Sequence, residues 1–183
     1  MKETNLEVSK NIETDLSIFL NFTNAPIIAV TGSKGKSSTV SAIYYGLKTA
    51  GFTTFLGGNI TVSPLSFLEK TTKDTPVVIE FSSWQLADLR GRGLLKPHIS
   101  LITKIVPDHQ NWYNGMEPYV NDKKIIYATQ DNGCYSIFDY GEDEPGTGPS
   151  GSSTWGDEFS TESKATVLRY YNKKLPKGSY GVW

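Results

Sequence analysis

The sequence predicts an α/β fold, a mostly parallel sheet with helices on both faces, on three observations. Short apolar runs alternate along the chain with segments whose apolar residues recur at helical spacing. One run, Val77-Val78-Ile79, is apolar without alternation, as in a strand covered on both faces. Another, Ile27 to Thr31, leads straight into a glycine-rich turn and then a helical pattern, Gly32-Ser33-Lys34-Gly35-Lys36-Ser37-Ser38.

The elements follow in order. Residues 1–25 are a polar lead-in with one apolar cluster from Leu16 to Phe22, where Asp15 could cap a short helix. The domain proper is expected over 26–183. Strand 27–31 comes first, and Val40, Ile43, Tyr44 and Leu47 then mark a helix from Ser37 to Ala50, which Gly51 ends. Thr53 to Leu56 is β-branched and aromatic, a second strand stopped by Gly57-Gly58. A helix over Pro64 to Glu69 precedes Pro76 and the strand that ends on Glu80, after which Ser82 begins a short helix. Ile99 to Ile105 reads as the fourth strand, Glu117 to Thr129 as a helix, and Cys134 to Phe138 as the fifth strand. Residues 141–154, acidic and then rich in Gly, Pro, Ser and Thr, read as a flexible loop. Ser163 to Tyr171 looks helical, and 178–183 looks like a terminal strand or tail.

Bulk properties exclude several classes. With 18 basic and 19 acidic residues in 183, charge is nearly balanced, and no basic run is dense enough for nucleic acid or an anionic membrane. No apolar stretch approaches the ~20 residues of a membrane span. A single cysteine, Cys134, rules out an internal disulfide framework and fits a reducing, cytoplasmic setting.

The chemistry gathers around the glycine-rich turn. Glycines let successive N–H groups point at one place, and the following helix adds its positive end. Gly32, Ser33, Lys34, Gly35, Lys36, Ser37 and Ser38 therefore form a phosphate cradle. Lys36 can reach the β- and γ-phosphates of ATP, and the Ser37 hydroxyl can ligate Mg²⁺. The general pattern G-x-x-x-x-G-K-[ST] wants glycine where Val30 stands, so the loop is a shortened variant. Glu80, at the tip of a neighbouring strand, is placed to help hold Mg²⁺. His109, beside Asp108 after the fourth strand, lies at the same sheet edge and is a metal-ligand candidate. With His98 as the one other histidine, a zinc site of His and Cys is not expected.

The form T-G-S-x-G-K-S resembles the Mur ligase superfamily, the ATP-dependent amide-forming ligases of cell-wall synthesis and folate polyglutamylation. Glu80-Phe81-Ser82-Ser83-Trp84-Gln85-Leu86, Gly58-Asn59-Ile60, Asp108-His109 and Tyr119 with Lys123 and Ile126 resemble motifs of its D-glutamate-adding MurD family. The resemblance covers about residues 26–140, the family's central ATP-binding domain; its UDP-binding N-terminal and its C-terminal domain would lie outside this chain. It implies ligation of D-glutamate to UDP-N-acetylmuramoyl-L-alanine through an acyl phosphate, a reaction a central domain alone would not complete. It further implies Asn59 near the γ-phosphate, His109 on a second metal supported by Lys123 as its carbamate, and Ser82 and Gln85 facing the substrate. Lys104, Thr61 and Gln110-Asn111-Trp112 depart from the family pattern. Another amide ligase of the superfamily, such as a folylpolyglutamate synthase, and a non-ligase P-loop module are the alternatives.

Overall fold

A computed structural model describes residues 12–60, 62–141, 148–149 and 153–182. Its centre is one seven-stranded sheet in the order β2-β3-β1-β4-β5-β6-β7, with every pairing parallel. The strands are β1 (Ile27–Thr31), β2 (Phe55–Gly58), β3 (Val77–Glu80), β4 (Ile99–Ile102), β5 (Tyr135–Asp139), β6 (Thr166–Tyr170) and β7 (Gly181–Val182). The helices are α1 (Asp15–Phe22), α2 (Lys36–Thr49), α3 (Ser83–Asp88), α4 (Gln110–Tyr113), α5 (Met116–Lys123) and α6 (Trp155–Glu162), with 3₁₀ turns at Pro64–Lys70 and Lys124–Tyr127.

Alternate residues of β1 and β3 feed two cores. Ile28, Val30 and Val78 meet Val40, Ile43, Tyr44 and Leu47 of α2 on one face. Ile27, Ala29, Val77 and Ile79 join the larger core on the other, with Leu16 and Phe19 of α1, Leu86 of α3, Val120 of α5 and Phe159 of α6. Both faces are covered, and all residues of β1 and β3 are buried. The expected two-sided α/β architecture is present.

Several boundaries differ from the sequence expectation for local reasons. Thr14, not Asp15, caps α1, through a reciprocal capping box with Ser17. Gly57 and Gly58 lie inside β2 rather than stopping it. They pair with Ile79 and Glu80, and an added Cβ at Gly58 would sit 2.2 Å from the Glu80 carbonyl oxygen. β4 ends at Ile102, because Thr103 turns back to bond Thr31 O through both its N–H (2.8 Å) and its Oγ1 (3.1 Å). Ile105 is buried without being strand. The expected helix over 117–129 is α5 followed by a 3₁₀ turn.

The largest error is at 163–171. That stretch is not helical: its centre is β6, and the helix, α6, precedes it, capped by Thr154 in a reciprocal bond with Asp157. Thr166 to Tyr170 is half-buried and of mixed polarity, so its apolar pattern did not separate strand from helix. Most of the expected loop 141–154, Thr61, most of the lead-in and Trp183 lie outside the described residues. No described helix is long and apolar enough to cross a membrane.

Candidate phosphate and metal site

The site forms where β1, β3 and β4 end side by side. Val30 is in register with Glu80, and Phe81 N–H donates to Val30 O at 2.8 Å, which locks the two strand ends together. Beyond Thr31 the chain needs a tight, close-packed turn. Gly32 has φ +142°, and an added Cβ there would lie 1.9 Å from Thr103 Oγ1. Gly35 adopts φ 90° and heads α2 without a side-chain cap. The first intrahelical bond is Thr39 N–H to Gly35 O. The N–H groups of Lys36, Ser37 and Ser38 precede it, so they are the cradle's donors.

The rest of the loop is divided between cradle and scaffold. Ser33 and Lys34 N–H both donate to Lys104 O, at 3.0 and 3.4 Å. Ser33 Oγ is buried away from the cradle, where it donates to Val106 O (2.8 Å) and accepts from Tyr119 OH (3.0 Å). Lys34 is exposed and pairs with Asp108 at 3.4 Å. Ser33 and Lys34 thus anchor the loop to the chain after β4. Ser37 and Ser38 are exposed at the head of α2.

Two amines converge on one carbonyl. Lys36 Nζ donates to Gly32 O and Ser33 O, each at 3.0 Å, and Lys123 Nζ donates to the same Gly32 O at 3.0 Å. Lys123 is 1% exposed, with its amine 4.4 Å from the centroid of the Tyr119 ring. Burial, and then the positive charge of Lys36, lower its pKa from the ordinary 10.5 to about 7. Near neutral pH this is a partly uncharged, nucleophilic amine. Lys124, the next residue, instead pairs with Glu158 and with Glu162 on α6.

Glu80 is 1% exposed. Its Oε1 accepts from Asn59 Nδ2 at 2.9 Å, while Oε2 is buried without a partner among the described residues. A buried carboxylate oxygen left unpaired is costly unless something electropositive meets it. Among the described residues no cluster of three or more His, Cys, Asp or Glu could hold a metal unaided. Mg²⁺ takes one or two carboxylates and completes its shell with phosphate oxygens and water. The donors present fit that ion.

Not every expected residue faces the site in the same way. Ser82 Oγ accepts from Gln85 N–H (3.2 Å) and Gln85 Oε1 accepts from Ser82 N–H (2.9 Å), a capping box that fixes the start of α3. Their remaining donors, the Ser82 hydroxyl and the Gln85 amide NH₂, are what could meet a substrate. His109 sits in a left-handed turn (φ 53°) with its ring against Trp84 at 4.6 Å and the Tyr119 ring at 6.4 Å, centroid to centroid. Sequence reasoning missed a cavity of about 710 Å³ beside the cradle, lined by Gly35, Thr39, Leu101, Thr103 and Tyr170 among others. Its walls come from three strand ends and the head of α2. Tyr170 could have signalled it only once β6 was placed correctly.

Fold and loop together define a parallel α/β domain of the phosphate-loop class. The sequence matches the Mur ligase middle domain over residues 30–147, and the chain belongs to that family. It is 48% identical over 178 residues to the UDP-N-acetylmuramoylalanine–D-glutamate ligase of Treponema pallidum (strain Nichols), covering 91% of this chain and 31% of the relative. The ligase of the same name from Borreliella burgdorferi (strain ZS7) is 46% identical over 134 residues, 73% of this chain and 29% of the relative. The chain therefore spans about a third of the length of these curated relatives. Among solved structures it superposes on MurF from Acinetobacter baumannii with a TM-score of 0.61 at 18% identity, covering 85% of this chain and 33% of the other. It superposes on MurF ligase from Thermotoga maritima in complex with ADP with a TM-score of 0.57 at 16% identity, over 92% of this chain and 37% of the other. At that identity the likeness concerns the fold.

Proposed function

We propose that this chain is the ATP-binding portion of a larger ligase that joins D-glutamate to UDP-N-acetylmuramoyl-L-alanine through an acyl phosphate. The observation that carries the reading is the buried Lys123 amine on the Gly32 carbonyl inside the phosphate loop. A plain phosphate-loop module has no need of it. The 48% identity to a D-glutamate ligase favours this branch over a folylpolyglutamate synthase.

In this reading the free N–H groups at the head of α2 and the Lys36 amine hold the ATP phosphates. Lys36 leaves Gly32 O and Ser33 O to do so. The cavity beside the cradle receives the nucleoside; its volume is within the range of small-molecule sites. Ser37 and Glu80 Oε2 would hold Mg²⁺, which when bound offsets phosphate charge as the γ-phosphoryl passes to the substrate carboxylate. Asn59 orients Glu80 through its amide and so lies beside the γ-phosphate end. His109 would serve a second metal. Lys123, in its neutral form, would attack CO₂: the N–C bond forms as one C=O π pair moves onto oxygen, one amine proton passes to water, and the product is a carbamate anion suited to a hard cation. Ser82 and Gln85 would meet the muramoyl-alanine portion with their free donors.

The described part of the lead-in, residues 12–25, and the domain from 26 belong to one unit in this reading, since Leu16 and Phe19 sit in the main core. Contacts to the UDP moiety and to the incoming amino acid would come from the remaining two thirds of the parent's length. In this reading the reaction is cytoplasmic and involves neither nucleic acid nor membrane. The test is a substrate panel on the full-length protein. Phosphate release from ATP is expected with UDP-N-acetylmuramoyl-L-alanine plus D-glutamate, and neither with L-glutamate nor with a reduced folate. This chain alone is expected to form no amide. Folate glutamylation by the parent, or ligation by this chain alone, would contradict the reading.

A further inference from the structure

We propose that Trp84 is a positioning residue for His109, its indole holding the imidazole in the ring plane that a metal ligand at this sheet edge requires. The inference rests on the metal role proposed for His109 above.

Trp84 stands on a rigid support. The reciprocal Ser82–Gln85 bonds fix the first turn of α3, directly after the buried Glu80, and Ser83 and Leu86 on either side of Trp84 are buried at 2% and 0% exposure. Trp84 itself is 44% exposed, and its indole makes no hydrogen bond among the described residues. It does not serve the core. What its ring touches is His109, with centroids 4.6 Å apart and planes tilted by 49°.

His109 has its own reasons to need a neighbour. Its backbone is already fixed, in a left-handed conformation (φ 53°, ψ 27°) with its N–H on Asp108 Oδ1 at 3.1 Å. The freedom that remains is rotation of the ring. Asp108 Oδ2 lies 4.0 Å from Nε2, outside hydrogen-bond distance, and the Tyr119 ring is 6.4 Å away centroid to centroid. Neither locks the imidazole plane. The indole, tilted against the imidazole at 4.6 Å, is the close ring, and packing against it limits the rotation that remains.

The test counts Mn²⁺ ions bound to this chain at saturating ATP, by electron paramagnetic resonance of the free ion. Two ions are expected, and His109→Gln should lose the weaker. Trp84→Ala should weaken that ion about tenfold and leave the tighter one unchanged, and Trp84→Phe should restore most of the loss. A second readout is independent of metal. The chain has two histidines, so the His109 ring protons can be followed by NMR against His98. In Trp84→Ala they should lose the ring-current displacement caused by the indole while His98, packed on Tyr135, stays put. If the wild-type chain binds one ion, or His109→Gln binds two, the metal reading fails and the inference with it. If His109→Gln loses the ion but Trp84→Ala binds both as the wild type does, the inference alone is overturned.

Discussion

Replacing Lys123 with Met should flatten a rise in stability that the unaltered chain shows above neutral pH. The Lys123 amine loses its proton near pH 7 in the folded chain but near 10.5 when exposed. Between those values the unfolded chain binds more protons, so stability climbs with pH, by up to about 1.4 kcal/mol per pH unit. Below pH 7 both forms are protonated and the full cost of burying the charge is present. Urea melts of both proteins at pH 6, 7.5 and 9 check this: the wild-type minus variant difference should shift towards the wild type as pH rises. A constant difference would place the amine's titration elsewhere. In the full-length protein the same change should lower turnover by about 10² or more, the scale of losing one preorganised charged group. Lys124→Met should leave turnover nearly intact and cost under about 1 kcal/mol, since that side chain pairs with Glu158 and Glu162 at the partly exposed α6 surface.

Lys36→Ala should have a comparable effect on turnover with none on the fold. Among the described residues its amine bonds the Gly32 and Ser33 carbonyls, and both belong to the loop it is meant to leave when phosphate arrives. In the full-length protein, kcat at saturating ATP should fall by about 10² or more, with an unchanged circular dichroism spectrum. Near-normal turnover would remove Lys36 from the cradle.

The two predictions differ in how far the sequence alone could reach. Lys36 was legible because glycine, lysine and serine at a strand–helix junction have one use, and because β1 and β3 are apolar on both faces and so read clearly as strands. Nothing in the sequence separates Lys123 from Lys124 without the family resemblance. Two tertiary facts do: one amine is enclosed against Gly32 O and Tyr119, and the other reaches two glutamates on α6. The same holds for Glu80, whose strand-end position was readable but whose unpaired Oε2 was not. Trp84 against His109 depends on how α3 approaches the turn before α4, a contact between segments 25 residues apart. β6 failed for another reason: a half-buried strand with Arg169 among apolar residues carries no clean period, and the capping signal of the helix before it lay in a stretch read as loop.

The central claim is that the head of α2 and Glu80 together hold a Mg²⁺-bound nucleotide. Calorimetric titration of ATP into this chain, with and without Mg²⁺, tests it most directly, with Glu80→Gln as the companion variant. Saturable binding that depends on Mg²⁺, and that loses this dependence in Glu80→Gln, is the predicted result. Binding of equal strength with and without Mg²⁺, or a Glu80→Gln variant indistinguishable from the wild type, would contradict it.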